Sequence, residues 1–427
     1  MKHGLCASGA LMLAVLLVGA PSIAAPAQGF KPTLRAVQRD VLPANLAHYR
    51  YDLQVGPGEY DRIRVHRVVK EQSPGKPGKL ADAIMFFPGQ PTYFDTLYIE
   101  PLISKIGPER SIAVYLAKQD LDVWGMDYRW ALVPVGTANV GTIMRDWGVD
   151  QDIADGLAAL AFARQTRGTN EPLILTGLSY GALMTYGVAG ADTQLPPARR
   201  MVRGLIPLDF GVKFDDPDAV AASCNMLDYD ITRMSSPDPA DWYSEDGLLL
   251  SMVGDLAISD PDGDSPMYPG LTNAEFAIAL LVGPNAPVDW HFMGGAFDAY
   301  GMPHDLRFTE PRLAFDLLKY NEPPYYPWKT NYDVDAAWCD GSVDVLFDDH
   351  LGDIDAPIFY VGAAGGFGVS GIYTTGLTAS PDVKTLIVQD LPNDQRYMDY
   401  GHADLLTGKH AQPLVWKPIL DWIKAHR

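Results

Sequence analysis

One serine in this chain stands where a nucleophile would be exposed. The run Pro172-Leu173-Ile174-Leu175-Thr176 is apolar and strand-like, and Gly177-Leu178-Ser179-Tyr180-Gly181 follows it as a G-x-S-x-G turn into a helix. Such a sharp turn forces its central residue into a strained backbone conformation, and side chains at Gly177 and Gly181 would collide with neighbouring backbone. Ser179 Oγ would then stand above the sheet. A serine hydroxyl is a weak nucleophile and needs a base within hydrogen-bond reach, most often a histidine. Of the nine histidines, His402 is the best placed. It lies in Met398-Asp399-Tyr400-Gly401-His402-Ala403-Asp404, on a glycine-preceded loop between the last predicted strand and the closing helix, at the sheet edge that carries the serine turn. His410 and His426 read as surface residues.

Groups so far apart in sequence need a sheet to bring them together. From residue 48 strand-like and helix-like segments alternate, which predicts an α/β layer fold with a mainly parallel sheet. Two strands are expected at His48 to Val55 and Tyr60 to Lys70, separated by Gly56-Pro57-Gly58. Ala83 to Phe87, Leu121 to Asp127, Pro172 to Thr176 and Val202 to Leu208 are short apolar runs, as expected of strands covered on both faces. Ile153, Leu157, Leu160 and Ala161 mark the buried face of a helix ending at Gly168. After Asp209 the alternation stops, to resume at Pro357 to Val361, followed by Val383 to Val388 and a closing helix from Pro413 to Ala425. Residues 214–353 therefore predict a cap inserted into a sheet domain formed by 28–213 and 354–427, because the stretch is too long for an ordinary loop. Its aromatics include Trp242, Trp290, Trp328 and Trp338. Most are expected in the cap's own core, and a fraction around an apolar pocket over Ser179.

In these pieces and their order the chain resembles the α/β-hydrolase family of serine esterases and lipases, over most of residues 48–427 apart from the insertion. Three matches carry the resemblance: Gly177-Leu178-Ser179-Tyr180-Gly181, Phe87-Pro88-Gly89-Gln90-Pro91 and Tyr400-Gly401-His402-Ala403-Asp404. The second is similar to the His-Gly-x-Pro loop of the family, with Pro88 in place of the histidine. The resemblance implies an oxyanion hole from the backbone N–H groups of Gln90 and Tyr180, each donor lowering the barrier by about 3 kcal/mol. It also implies a carboxylate that orients His402. Most members carry that acid after the seventh strand, but the segment Val361 to Ser370 holds no carboxylate. A minority carry it at the end of the sixth strand, where Asp209 ends the apolar run Ile206-Pro207-Leu208. Asp404, Asp399, Asp215 and Asp216 are the competing candidates, and Asp127 with Arg129 reads as a structural pair beneath the oxyanion loop.

The apolar stretch Leu5 to Ala20, preceded by Lys2 and followed by small residues to Ala27, is similar to a secretory signal peptide over residues 1–27. That predicts a periplasmic or secreted protein with no stable membrane insertion after the signal is removed. Cys224 and Cys339 then remain as an even pair, either one disulfide or two buried thiols. A formal net charge of -20 argues against nucleic acid and anionic membrane surfaces as partners. Phosphate loop, dinucleotide fingerprint and Cys/His metal spacing are all missing, so neither a cofactor nor a metal is expected. The expected function is hydrolysis of a small-molecule carboxylic ester through Ser179, His402 and Asp209. The alternatives are an exopeptidase of the same fold and a non-catalytic ligand-binding relative.

Overall fold

The computed structural model describes residues 31–99, 110–320, 323–339 and 343–427, so the segment 1–27, expected to be a signal peptide, lies outside the described residues. At its centre is a ten-stranded sheet. The strands are β1 (Thr33–Leu42), β2 (Leu46–Gln54), β3 (Arg62–Ser73), β4 (Ala83–Phe87), β5 (Asp122–Asp127), β6 (Leu173–Leu178), β7 (Val202–Leu208), β8 (Ile358–Ala363) and β9 (Val383–Val388). A two-residue strand, Lys76–Pro77, adds to β3. The spatial order is β1-β2-β3-β5-β4-β6-β7-β8-β9. The contacts from β1 to β5 are antiparallel, and those from β5–β4 through β8–β9 are parallel. The order reverses at β4, which has β5 on one side and β6 on the other. At such a switch point the connections leave in opposite directions and a crevice opens at the carboxyl ends of the strands. Gly89 and Ser179 leave their strands there.

Parallel strands must be covered on both faces. Every residue of β4, β5 and β6 is accordingly buried. Alternate side chains feed opposite layers: Met85, Phe87, Leu173 and Leu175 on one face, Ile84, Phe86 and Ile174 on the other. The edge strand β1 lies outside the predicted sheet. Its Leu34, Val37 and Val41 are exposed, so it has no buried face and no periodic apolar signal.

Helices α1 (Phe94–Tyr98), α2 (Val149–Arg167) and α3 (Tyr180–Thr193) belong to this sheet. As expected, α2 ends at Gly168, whose φ of 67° lets its N–H reach back to Arg164 O. The buried face of α2 differs from the predicted one: Ala161 is exposed, whereas Asp152, Asp155 and Gly156 are buried. Polar partners turn that face inward. Asp155 accepts two bonds of 2.7 Å from Arg129, and Asp152 accepts from Tyr180 and Trp130.

Between β7 and β8 the chain forms α4 (Pro217–Met234), α5 (Asp246–Ser259), α6 (Asn273–Val282), α7 (Pro311–Lys319) and α8 (Trp328–Trp338), with short two-stranded ribbons. Cys224 of α4 and Cys339 at the end of α8 form a disulfide. Tyr326 and Trp338 join the layer of Met85 and Phe87, while Phe308 and Phe315 join that of Ile84 and Phe86. The helices of this stretch also pack on one another, α5 against α6 and α7, and α4 against α8. The closing helix α9 (Lys417–Ala425) follows a wide turn at Gln412–Trp416. Among the described residues no helix is long and apolar enough to cross a membrane.

Candidate active site

Ser179 sits between β6 and α3 with φ 61° and ψ -129°, half-buried at the helix N-terminus. A non-glycine residue at positive φ is strained, and the strain is held by crowding on both sides. A Cβ at Gly177 would lie 2.4 Å from Phe87 O, and one at Gly181 would lie 2.0 Å from the same oxygen. The last carbonyl of β4 thus passes through a gap that only glycine leaves open.

The turn after β4 is fixed against this serine. A Cβ at Gly89 would lie 3.1 Å from Ser179 Cβ, so the turn rests on this serine. Thr92 closes it by donating both N–H and Oγ1–H to Gly89 O. Tyr128 donates to Pro88 O at 2.9 Å. Tyr98, a residue with no signature in the sequence, bridges the two strand ends: its hydroxyl donates to Phe87 O at 2.7 Å and accepts from Leu178 N–H at 3.1 Å. Among the described residues, the backbone N–H groups of Gln90 and Tyr180 meet no acceptor. Two uncommitted donors beside the serine, one of them at a helix N-terminus, suit an oxygen that develops negative charge. The Tyr180 ring is anchored from below, its hydroxyl donating to Asp152 at 2.8 Å. Burial pushes the Asp152 carboxyl up to about 7.

Asp209 leaves the tip of β7 with φ 51° and is fully buried. Its carboxyl accepts backbone N–H bonds from Ala363, Phe367 and Gly368, at 2.8, 3.1 and 2.8 Å. These donors come from the end of β8 and the turn after it, a stretch that lacks a carboxylate of its own, so it receives the carboxyl of the neighbouring strand. A Cβ at Gly366 would lie 1.9 Å from Asp209 Oδ2. The same Oδ2 lies 2.7 Å from His402 Nδ1, with both side chains buried. An oxygen of this carboxylate can only accept, which puts the ring hydrogen on Nδ1 and leaves the lone pair on Nε2. His402 Nε2 is buried and has no hydrogen-bond partner in the chain. Its loop is pinned by His402 N–H to His291 O and Ala403 N–H to Phe292 O. The ring packs against Trp290 and Phe367 at centroid distances of 5.0 and 5.7 Å.

The competing carboxylates have other tasks. Asp404 accepts from Gly294 N–H, Gly401 N–H and Thr309 Oγ1, ordering the histidine loop, and burial raises it to about 6. Asp399 accepts from the N–H groups of Asp390, Leu391 and Tyr400, and Asp216 caps α4. Asp215 is exposed. The predicted pairing of Asp127 with Arg129 does not form. The strand ends at Asp127, which contacts His66 and accepts from Phe94 N–H, and the chain then coils so that Arg129 turns to Asp155 and Asp61.

Ser179, Gln90 and Tyr180 open into a cavity of about 600 Å³. Trp290 and Phe367, which pack on His402, also line it, so the histidine lies behind the wall those two rings form, and Ser179 Oγ and His402 Nε2 are not directly bonded. The far wall comes from α4 and α8: Tyr229, Trp328 and Trp338, with the carboxyls of Asp230 and Asp335. Trp328 donates to Asp230 at 2.7 Å. Burial, together with the proximity of Asp230, raises Asp335 so that the pair retains a proton at neutral pH.

This strand order, with a strained serine after β6 and the partnered pair Asp209 and His402 after β7 and β9, defines an α/β-hydrolase fold. No protein-family model matches the sequence, and no curated protein matches it significantly. Solved structures do. A protein from Sulfolobus solfataricus described as a "putative lipase" is 17% identical over 93% of this chain and 99% of its own, with a TM-score of 0.61. An esterase from Thermogutta terrifontis (12% identity, 88% and 98% coverage, TM-score 0.44) and a soluble variant of the monoglyceride lipase from Saccharomyces cerevisiae (11%, 95% and 99%, 0.44) are also similar. At 17% identity the first of these, with a TM-score of 0.61, shows the fold alone, and the chemistry must be argued from the site.

Proposed function

We propose that the protein is an exported serine hydrolase that cleaves carboxylic esters through an acyl-enzyme. Ser179 Oγ attacks the ester carbonyl as His402 Nε2 takes its proton, and Asp209 holds the tautomer and stabilises the imidazolium. The N–H groups of Gln90 and Tyr180 receive the oxyanion. His402 returns the proton to the leaving alcohol, then activates a water that releases the acyl group. The observation that carries this reading is the buried Asp209–His402 contact of 2.7 Å, which leaves an uncommitted Nε2 beside a cavity that contains Ser179. The aromatic walls favour an apolar or aromatic acyl or alcohol group. Export is supported by the N-terminal segment and by the Cys224–Cys339 disulfide, a bond kept in oxidising compartments.

A second reading, an exopeptidase, draws on one observation: the carboxyls of Asp230 and Asp335 stand together in the aromatic far wall, where burial and their mutual proximity raise Asp335. A carboxyl pair with one net negative charge beside indole faces suits an ammonium group. The non-catalytic reading drew its support from the carboxylate-free segment after β8, and Asp209 against His402 takes that support away. Turnover of p-nitrophenyl acyl esters compared with aminoacyl p-nitroanilides tests the choice. Ester turnover lost in Ser179→Ala is expected; anilide turnover dominating would favour the peptidase, and full activity without Ser179 would overturn both.

A further inference from the structure

Away from the serine, three buried ligand atoms converge. His48 on β2 and His66 on β3 project from one face of neighbouring antiparallel strands, in diagonal register, with Arg50 opposite His66 and Val68 opposite His48. Asp95 enters from the first turn of α1. His48 Nε2 lies 3.0 Å from His66 Nδ1, and Asp95 Oδ1 lies 3.3 Å from His66 Nδ1 and 3.4 Å from His48 Nε2. The triangle is nearly equilateral. A tetrahedral ion with bonds of about 2.0–2.1 Å places its ligand atoms about 3.3 Å apart.

We propose that His48, His66 and Asp95 form a binding site for a divalent transition ion, zinc by geometry and ligand type. Two further observations favour a cation over a shared proton. First, Asp95 Oδ1 is buried without a hydrogen-bond partner. A proton on His66 Nδ1 bonds well to only one of its two neighbours, His48 Nε2 at 3.0 Å or Asp95 Oδ1 at 3.3 Å, whereas an ion at the centre serves all three atoms. Second, the outer nitrogen of His66, Nε2, lies 2.9 Å from Asp127 Oδ2. A metal-bound histidine characteristically donates its other N–H to a carboxylate, which fixes the tautomer and turns the lone pair toward the ion. The Phe94 ring stacks on His66 at 4.7 Å and shields the site. Asp95 and Asp127 also border a surface cavity of about 520 Å³, which provides an entry path and room for a water as fourth ligand.

The ion would clamp α1 to β2 and β3, and α1 begins just after the turn that carries Gln90. Its expected role is to hold that turn in place. The three ligands lie on separate elements, so no ligand spacing is readable in the sequence, which led to the expectation of no metal.

The test is zinc titration of the full chain, prepared without a histidine tag and stripped with a chelator. One zinc per chain by elemental analysis and calorimetry is expected, with a rise in Tm of several degrees on zinc addition. His48→Gln should fold, as judged by circular dichroism, but lose both the bound zinc and the zinc-dependent rise. Asp95→Asn should weaken binding at least tenfold. The wild-type titration stands whether or not the variants fold. Absence of stoichiometric zinc binding to the stripped chain, or an equal rise in Tm in His48→Gln, would overturn the site and leave a proton-bridged network.

Discussion

Asp209 Oδ2 lies 2.7 Å from His402 Nδ1, and the same carboxyl is held by three N–H groups, one from the last residue of β8 and two from the loop after it. The acid and the loop that cradles it come from adjacent parallel strands. Moving the carboxylate by one strand therefore preserves the direction from which it reaches the histidine.

Replacing Asp209 by Asn should keep the fold yet lower kcat by about three to four orders of magnitude, because an amide cannot hold the required tautomer. Steady-state kinetics on a p-nitrophenyl ester should locate the loss in kcat with KM little changed. An unaltered kcat would move the acid elsewhere.

Gly366→Ala tests the same geometry from the other side. Its Cβ would lie 1.9 Å from Asp209 Oδ2, so the carboxyl or the loop must move. The predicted phenotype is a fall in kcat of at least tenfold in a chain that still folds, and an unchanged kcat would contradict it.

Gly181→Ala places a Cβ 2.0 Å from Phe87 O, a backbone atom of a buried strand. The expected cost is about 2–4 kcal/mol, measured as a lower denaturant midpoint at unchanged m-value. Much of the fold was legible for the same reason. Ala83 to Phe87 and Leu173 to Leu178 are buried on both faces, so they are written as apolar runs, and the glycines around Ser179 record a crowding that no other residue survives. The exposed strand β1 leaves no such record. Asp209 was readable as a lone carboxylate on an apolar strand tip. Its cradle was not, since backbone N–H groups carry no sequence signal. Asp152 and Asp155 escaped notice because buried carboxylates break the apolar period of α2 that would have marked its inner face.

Asp152 and Asp404 are buried carboxyls pushed up to about 7 and about 6, the first directly beneath the Tyr180 ring. In the unfolded chain an aspartate titrates near 4. Between about pH 4 and 7 the native state thus holds protons that the unfolded state has released, so stability falls as the pH rises through that window. The thermal midpoint should be higher near pH 5 than near pH 8, and Asp152→Asn should flatten the upper part of the decline. A slope of the same size in that variant would contradict the assignment.

The Cys224–Cys339 disulfide closes a segment with a sequence separation of 115 and ties α4 to the end of α8, two walls of the cavity. A Cys224→Ser, Cys339→Ser double variant should lose about 2–5 kcal/mol of stability. Its KM should rise more than its kcat falls, because the walls loosen while Asp209 and His402 keep their contact. Equal Tm values for the native and double-variant chains would contradict this.

The central claim is that His402, held by Asp209, activates Ser179. Labelling with a fluorophosphonate, followed by peptide mass mapping, tests it most directly. The account predicts a single adduct on Ser179, formed at least a thousandfold more slowly in His402→Ala; a folded chain that stays unlabelled, or one labelled elsewhere with Ser179 unmodified, would contradict it.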